Sequence, residues 1–160
     1  MPERTARRIL FICMGNICRS PMAEGIFLHK VRARGIHDDF EVDSAGTGGW
    51  HAGDPPDHRS IEVAHENGVR LVSRARQVDR EDFNSYDLLI CMDEENAREL
   101  ARMGCPPEKI KLLMSYDEDS HHDDVPDPYY GGPEGFTLMF ELIDSAMDRL
   151  LERMRPEERR

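Results

Sequence analysis

The 160-residue sequence predicts an α/β fold: a single three-layer domain over residues 1–160, in which a four-stranded parallel sheet is flanked by helices on both faces. Two observations support this prediction. Apolar runs without polar alternation, typical of strands covered on both faces, alternate along the chain with segments of helical periodicity. The chain also has the length of one ordinary domain, and we find no linker in it.

The four predicted strands are short runs rich in Ile, Leu, Phe and Val. The first run is followed directly by a loop that contains two cysteines, and the second by a glycine-rich loop over residues 44–56. Parallel folds of this kind place their ligands at the carboxyl ends of the strands, which is where both loops lie. The predicted strands cover residues 8–12, 40–42, 88–92 and 110–114.

Each predicted helix has a start signal, a stop signal or an apolar face. Pro21 suits the first turn of the first helix, and Gly35 ends it. Ser60 is the predicted cap of the second helix and Asp93 that of the third, while the last helix repeats its apolar residues along one face. These helices cover residues 21–35, 60–68, 94–104 and 136–154.

Net charge and hydropathy exclude several classes of protein. A formal charge of −11 argues against a general nucleic-acid or anionic-membrane binder, because such surfaces neutralise phosphate charge with Lys and Arg. The apolar run near the N-terminus is about six residues long, whereas a membrane span needs ~20. We therefore expect a cytoplasmic protein without membrane insertion.

The four cysteines favour thiol chemistry over structural roles. Cys13, Cys18, Cys91 and Cys105 show neither paired C-x-x-C spacing nor the density of a disulfide scaffold. Neighbouring residues such as His121 and His122 seldom converge on one metal ion, so we expect no metal site in that polar segment. Cys13 is the cysteine with the most informative surroundings.

Cys13 opens a loop with the properties of an anion site. It stands at the end of the first strand, and the loop amides and the N-terminus of the following helix favour a bound oxyanion and the thiolate form of the nucleophile. Arg19 closes the loop with a planar guanidinium that can hold two oxygens of a tetrahedral anion. A leaving group would need a proton from another loop, and Asp127, between two prolines, is our candidate acid.

Three segments resemble the low-molecular-weight protein tyrosine phosphatases, in particular their eukaryotic-like branch. Residues 13–21, CMGNICRSP, are similar to the phosphate-binding loop of that family. Residues 44–50, SAGTGGW, and 127–130, DPYY, resemble its two other signature loops, and the resemblance spans nearly the whole chain. It implies a metal-independent phosphomonoesterase, without a cofactor, that works through a phosphocysteine on Cys13.

The resemblance also implies roles for the remaining residues of the site. Arg19 is the implied phosphate clamp and Asp127 the general acid and base, while Ser20 stabilises the departing thiolate. The implied phosphate-binding loop further includes Met14, Gly15, Asn16, Ile17 and Cys18, with Ser44 bonded to Asn16 and with Trp50, Tyr129 and Tyr130 as aromatic walls of the cleft.

Two residues carry expectations of their own. The family commonly has a histidine where this chain has Asn67, and an amide can donate and accept hydrogen bonds, so we predict that Asn67 supports the Asn16 and Ser44 network. Cys18 is a candidate for a reversible disulfide with Cys13 that protects the nucleophile from overoxidation.

Two other functions stay open at this level. An arsenate reductase on the same scaffold would pass oxidation to a cysteine pair, and a catalytically idle module would bind phosphotyrosine without turnover. The family resemblance implies phosphotyrosine proteins as substrates and raises a tyrosine kinase as a possible partner. We also expect a monomer.

Overall fold

The computed structural model describes residues 6–129 and 131–154 and confirms the predicted α/β fold with a four-stranded parallel sheet. The strand order is β2-β1-β3-β4, and every pairing is parallel. The two central strands follow the longest unbroken apolar runs of the sequence, as expected for strands that are buried on both faces. The strands are β1 (Arg7–Cys13), β2 (Phe40–Gly46), β3 (Leu88–Cys91) and β4 (Ile110–Leu112).

Two hydrophobic cores lie on opposite faces of the sheet. Ile9 and Phe11 of β1 point into one core, and Leu10 and Ile12 point into the other, because successive strand side chains alternate between faces. The first core contains apolar residues of helices α1, α2 and α5, and the second contains those of α3 and α4. The helices are α1 (Arg19–Ala33), α2 (His58–Glu66), α3 (Arg80–Ser85), α4 (Glu94–Arg102) and α5 (Pro133–Arg153).

Several element boundaries differ from those predicted. Strand β2 extends to Gly46, since that residue pairs with Cys13 on one side and forms a bridge with Gln77 on the other. Strand β4 is shorter than predicted, because residues Leu113–Tyr116 turn into a 3-10 helix. Helix α3 was not predicted, although Asp79 and Asp82 form a capping box around its start.

The predicted cap of α2 was wrong. Asp57, rather than Ser60, caps this helix, and its side chain accepts a hydrogen bond from the Arg59 amide. Ser60 is fully buried within the first turn. The Asp57 amide also donates to the Ile17 carbonyl oxygen at 2.8 Å, which attaches the start of α2 to the cysteine loop.

Candidate active site

The loop between β1 and α1 is tied to the neighbouring glycine-rich loop by backbone hydrogen bonds. The Thr47 amide donates to the Cys13 carbonyl oxygen and the Gly48 amide to that of Met14, both at 2.9 Å. Asn16 turns the chain with a φ of 59°, a left-handed conformation that Asn adopts more readily than most residues. The loop therefore begins at the carboxyl end of the central strand β1 and ends at the N-terminus of α1, and the N-terminus of a helix favours a bound anion.

Cys13 is buried at the base of this loop and faces two hydrogen-bonding groups. The Asn16 amide donates to Cys13 Sγ at 3.2 Å, and Ser20 Oγ lies 3.0 Å from the same sulfur. Both contacts can stabilise a negative charge on sulfur, because an N–H and an O–H that point at a thiolate form charge-assisted hydrogen bonds. Cys13 thus has the surroundings of a nucleophile or of a leaving thiolate.

The side-chain amide of Asn16 links the elements around the loop. Its Nδ2 donates to Ser20 Oγ at 2.7 Å and to Ser44 Oγ at 3.0 Å, and its Oδ1 accepts from the Arg76 amide at 2.9 Å. The buried amide is satisfied on both sides, so its orientation is determined by these partners. The predicted contact between Asn16 and Ser44 is present.

The prediction that Asn67 supports this network is wrong. Asn67 is exposed at the end of α2, where its Nδ2 donates to the Val63 carbonyl oxygen of the same helix at 2.9 Å. The acceptor of Asn16 is occupied by the Arg76 backbone amide instead. Asn side chains commonly form such local hydrogen bonds with nearby backbone groups, and this bond directs the Asn67 amide toward its own helix.

Arg19 is almost completely buried and is held from three directions. Its Nη1 donates to Asp93 Oδ2 at 2.6 Å and to the Val125 carbonyl oxygen at 3.0 Å, and its Nη2 lies 3.6 Å from Asp127 Oδ2. Burial opposes the charged form, but the nearby Cys13 and Asp93 outweigh it and raise the pKa of Arg19. The guanidinium is therefore a fixed cation beside the thiol.

Asp127, which lies between two prolines, lines the same cavity as the cysteine loop. Its Oδ1 accepts from the Tyr129 amide at 3.1 Å, while its Oδ2 faces Arg19. The side chain is about one-third exposed, which leaves it in contact with solvent and with anything bound in the cavity. Thiol, guanidinium and carboxyl thus come from three separate parts of the chain.

These groups line one cavity of about 440 Å³ at the carboxyl edge of the sheet. Its volume suits a ligand of the size of an aryl phosphate. The floor is made by the cysteine loop and the walls by two aromatic residues and an imidazole. The lining residues are Cys13, Met14, Gly15, Ile17, Cys18, Arg19, Trp50, His51, Asp127 and Tyr129.

Glycines bring the 46–50 loop close to the floor of the cavity. A Cβ at Gly46 would lie 2.7 Å from the Met14 carbonyl oxygen, and a Cβ at Gly48 would overlap the indole of Trp50. The indole of Trp50 therefore occupies the space beside Gly48 that a Cβ would fill, with 73% of the surface of Trp50 exposed. Such an exposed aromatic ring at a cavity rim is available for stacking.

Tyr129 forms the opposite wall and packs against a cation. The guanidinium carbon of Arg59 lies 5.6 Å from the centre of the Tyr129 ring and 4.5 Å from that of Phe136, within cation–π distance. Two hydrogen bonds from Arg59 to Asp57 hold it in this position. The predicted role of Tyr130 lies outside the described residues.

Cys18 is a buried free thiol within the loop, as is Cys13. Burial, with contributions from the charges of Asp57 and Cys13, raises the pKa of Cys18 to about 12. Cys18 is therefore a protonated thiol at neutral pH and a poor nucleophile in this conformation. A protective disulfide between the two cysteines stays a prediction.

Four residues around the site were missed by sequence reasoning. Asp93 was interpreted only as a helix cap, although it also contacts Arg19, and Arg76 contacts Asn16 through a backbone amide that carries no residue-specific signal. Glu24 and His51 stand close to recognised motifs, and their polar side chains beside apolar neighbours were the available signal.

The described residues contain neither a metal-binding cluster nor a membrane-spanning helix. Over residues 6–129 and 131–154, no cluster of three or more His, Cys, Asp or Glu side chains is arranged to hold a metal ion. In the same part of the chain, no helix is both long and apolar enough to cross a membrane.

The chain is similar to known proteins over nearly its whole length. A family model described as "Low molecular weight phosphotyrosine protein phosphatase" matches residues 8–160. The low molecular weight protein-tyrosine-phosphatase of Streptomyces coelicolor is 42% identical over 156 residues, which cover 94% of each chain.

Solved structures with high similarity include two further proteins. The structure of YfkJ from Bacillus subtilis matches with a TM-score of 0.91 and 39% identity, covering 98% of this chain and 99% of that one. The structure of DARP, a Drosophila arginine phosphatase, matches with a TM-score of 0.87 and 34% identity, covering 93% of this chain and 98% of that one.

Proposed function

Because the chain belongs to the low molecular weight phosphotyrosine protein phosphatase family, we propose that it hydrolyses phosphotyrosine and aryl phosphate monoesters through a phosphocysteine on Cys13. Membership of the family makes the chain a hydrolase of phosphoproteins. The observation that supports the residue assignment is the presence of Cys13, Arg19 and Asp127 in one cavity. Each of the three carries a group that one step of the reaction needs.

In the first step, Cys13 Sγ attacks phosphorus and forms the S–P bond while the P–O bond to the phenol breaks. Arg19 and the loop amides hold the phosphate oxygens, on which negative charge accumulates in the transition state. Asp127, protonated for this step, transfers its proton to the departing phenolate oxygen. The products of the step are the phenol, the phosphocysteine and the Asp127 carboxylate.

In the second step, water replaces the sulfur. The Asp127 carboxylate removes a proton from the attacking water, the new P–O bond forms and the S–P bond breaks. Cys13 leaves as a thiolate, which the Ser20 hydroxyl at 3.0 Å and the Asn16 amide at 3.2 Å stabilise. Inorganic phosphate is released, and Asp127 is protonated again.

The aromatic walls support a preference for aryl esters. We assign Trp50 and Tyr129 to contact the substrate ring, since both line the cavity above the thiol, and we retain Tyr130 as a third candidate. A ring between these walls keeps its phosphate on the floor, whereas a short alkyl chain leaves the walls unoccupied. Phosphotyrosine is therefore preferred over phosphoserine in this proposal.

The broader proposals concern organisation and setting. We propose that residues 1–160 form one domain, which the continuous four-stranded sheet of the described residues supports, and that the enzyme acts as a monomer. We further propose that it acts in the cytoplasm on phosphotyrosine proteins supplied by a tyrosine kinase.

Arsenate reduction is less well supported. Cys13 and Cys18 belong to the core on one face of the sheet, whereas Cys91 and Cys105 belong to the core on the other face. Burial also raises the pKa of the Cys91 thiol, which disfavours a thiolate relay. Thioredoxin-coupled arsenate reduction faster than aryl phosphate hydrolysis would overturn this ranking.

The test compares substrates and two variants, without added metal and with a chelator present. We expect the wild type to hydrolyse p-nitrophenyl phosphate and phosphotyrosine peptides and Cys13→Ser to be inactive. Cys91→Ser, a buried cysteine of the other core, is the matched control and should retain activity if it folds. Turnover by Cys13→Ser would exclude the mechanism, and faster hydrolysis of phosphoarginine than of phosphotyrosine peptides would exclude the substrate class.

A further inference from the structure

We propose that Glu24 is a positioning residue of the phosphate loop, which acts through Ser44 and Asn16 on the hydroxyl that faces Cys13. This inference rests on the proposed function, because it takes Cys13 as the nucleophile. Glu24 lies in the second turn of α1, with only 9% of its surface exposed. It does not line the cavity and cannot contact substrate, so any effect on turnover must pass through other residues.

An unbroken series of hydrogen bonds connects Glu24 with the thiol. Ser44 Oγ donates to Glu24 Oε1 at 2.6 Å, and Asn16 Nδ2 donates to Ser44 Oγ at 3.0 Å. The same Nδ2 donates to Ser20 Oγ at 2.7 Å, and Ser20 Oγ lies 3.0 Å from Cys13 Sγ. All five side chains of this series are buried.

The direction of every bond in the series follows from Asn16. The Arg76 amide donates to Asn16 Oδ1, so the side-chain amide cannot flip and Nδ2 must face both serines. An amide nitrogen only donates, and each serine oxygen therefore accepts from Asn16 and keeps its own proton for a second partner. Ser44 gives its proton to Glu24, and Ser20 gives its proton to Cys13.

Glu24 is the acceptor that completes this arrangement. Without it, the buried Ser44 hydroxyl has no partner for its proton, which costs free energy or forces the hydroxyl to turn toward Asn16. Such a turn would compete with the donation from Nδ2 and loosen the amide that orients Ser20. The hydrogen bond from Ser20 to the thiolate leaving group is then weakened, which slows departure of the thiolate.

The role assigned to Glu24 needs an acceptor oxygen for the Ser44 hydroxyl and does not need a fixed negative charge. Burial, with a contribution from Asp43, raises the pKa of Glu24 to about 7, against the opposing effects of the Ser44 hydrogen bond and of Arg76. Arg76 is shared, since its guanidinium also contacts Asp43 and Asp82. A protonated carboxyl and an amide both retain an oxygen that can accept from Ser44.

The test uses Glu24→Ala and Glu24→Gln, with the exposed Glu62→Ala on α2 as a matched control. We expect Glu24→Ala to lower kcat by about tenfold and KM with it, so that kcat/KM changes much less, because the loss is confined to the departure of the thiolate in the second step. Pre-steady-state hydrolysis of p-nitrophenyl phosphate should assign this loss to breakdown of the phosphocysteine. Alkylation of Cys13 by iodoacetate should slow in parallel.

Glu24→Gln should retain most of kcat, since it restores the acceptor without the charge. A merely structural glutamate would make both substitutions harmful through stability alone and would leave the rate of alkylation of the folded protein unchanged. If Glu24→Ala does not fold, Ser44→Ala breaks the same series one bond closer to the thiol. In the Ser44→Ala background, Glu24→Ala should have no further effect on kcat, because the series is already broken.

Unchanged phosphocysteine breakdown in Glu24→Ala, or equal losses of kcat in Glu24→Ala and Glu24→Gln, would overturn the inference. So would additive effects of Ser44→Ala and Glu24→Ala on kcat. Failure of the proposed function is recognised separately, because it appears as turnover by Cys13→Ser. An inactive Cys13→Ser together with an unaffected Glu24→Ala would reject only the role of Glu24.

Discussion

The carboxylate of Asp93 accepts a hydrogen bond of 2.6 Å from Nη1 of Arg19, so the residue that caps α4 also orients the cation of the phosphate loop. The two carboxylate oxygens divide these tasks. Oδ1 accepts from the Asn96 amide at 2.8 Å, which caps the helix, and Oδ2 accepts from Arg19. One side chain therefore contributes both to the start of α4 and to the orientation of Arg19.

Substitution Asp93→Ala should reduce kcat/KM for p-nitrophenyl phosphate by about 10- to 100-fold, because a charge-assisted hydrogen bond that orients Arg19 is lost. The free energy of unfolding should also fall by about 1 kcal/mol through loss of the cap. Asp79→Ala is the control, since Asp79 caps α3 in the same way but is absent from the cavity lining. Equal losses of activity in the two variants would contradict a specific role for Asp93.

Substitution Asp127→Ala should slow hydrolysis of phosphotyrosine more than hydrolysis of p-nitrophenyl phosphate. Tyrosine is the poorer leaving group and needs the proton from the acid, whereas p-nitrophenolate departs more readily without it. Asp124→Ala, in the same loop but outside the cavity lining, should show no such difference. The measurement is the rate of phosphocysteine formation, and an equal loss for both substrates would argue against Asp127 as the acid.

Substitution Arg59→Ala should raise KM for phosphotyrosine peptides about threefold to tenfold with little change in the chemical step. Arg59 packs over Tyr129 and Phe136, so the substitution removes a cation–π contact from each of the two rings. The wall then loses its support while the thiol, Arg19 and Asp127 stay in place. Steady-state kinetics against a small alkyl phosphate provide the comparison, and an equal rise in KM for that substrate would refute the explanation.

Substitution Glu24→Gln should change how stability depends on pH. The pKa of Glu24 is raised from 4.5 to about 7 by burial, so the folded state binds this proton more tightly than the unfolded state does. The contribution of the group to stability is therefore fully present below pH 4.5 and is lost as the pH rises to about 7.

Relative to the wild type, Glu24→Gln should gain stability over this interval by at most about 3 kcal/mol and show no further change above it. Urea unfolding of both proteins at a series of pH values measures the difference. A constant difference in the free energy of unfolding between the two proteins from pH 4.5 to 7 would show that Glu24 does not titrate in this range.

Much of the fold was predictable because its signals are local. The runs in β1 and β3 are apolar without interruption, since both faces of these central strands are covered, and that pattern is visible in a few consecutive residues. The loop from Cys13 to Arg19 is similarly contained in one short segment. The boundaries of the elements were less predictable. Strand β2 continues to Gly46 because Gly46 pairs with Cys13 and Gln77, and the residues next to Gly46 in the sequence do not indicate these distant partners.

The sequence by itself determined the nucleophile, the phosphate-binding loop and the alternation of strands with the longer helices, because each depends on neighbours along the chain. Only the tertiary structure decided which distant groups serve the loop. Asp93 accepts from Arg19, and Glu24 accepts from Ser44. The Arg76 backbone amide donates to Asn16, whereas the predicted candidate Asn67 bonds to its own helix. Backbone donors and long-range hydrogen bonds depend on how the elements pack, and no residue type in the sequence identifies them in advance.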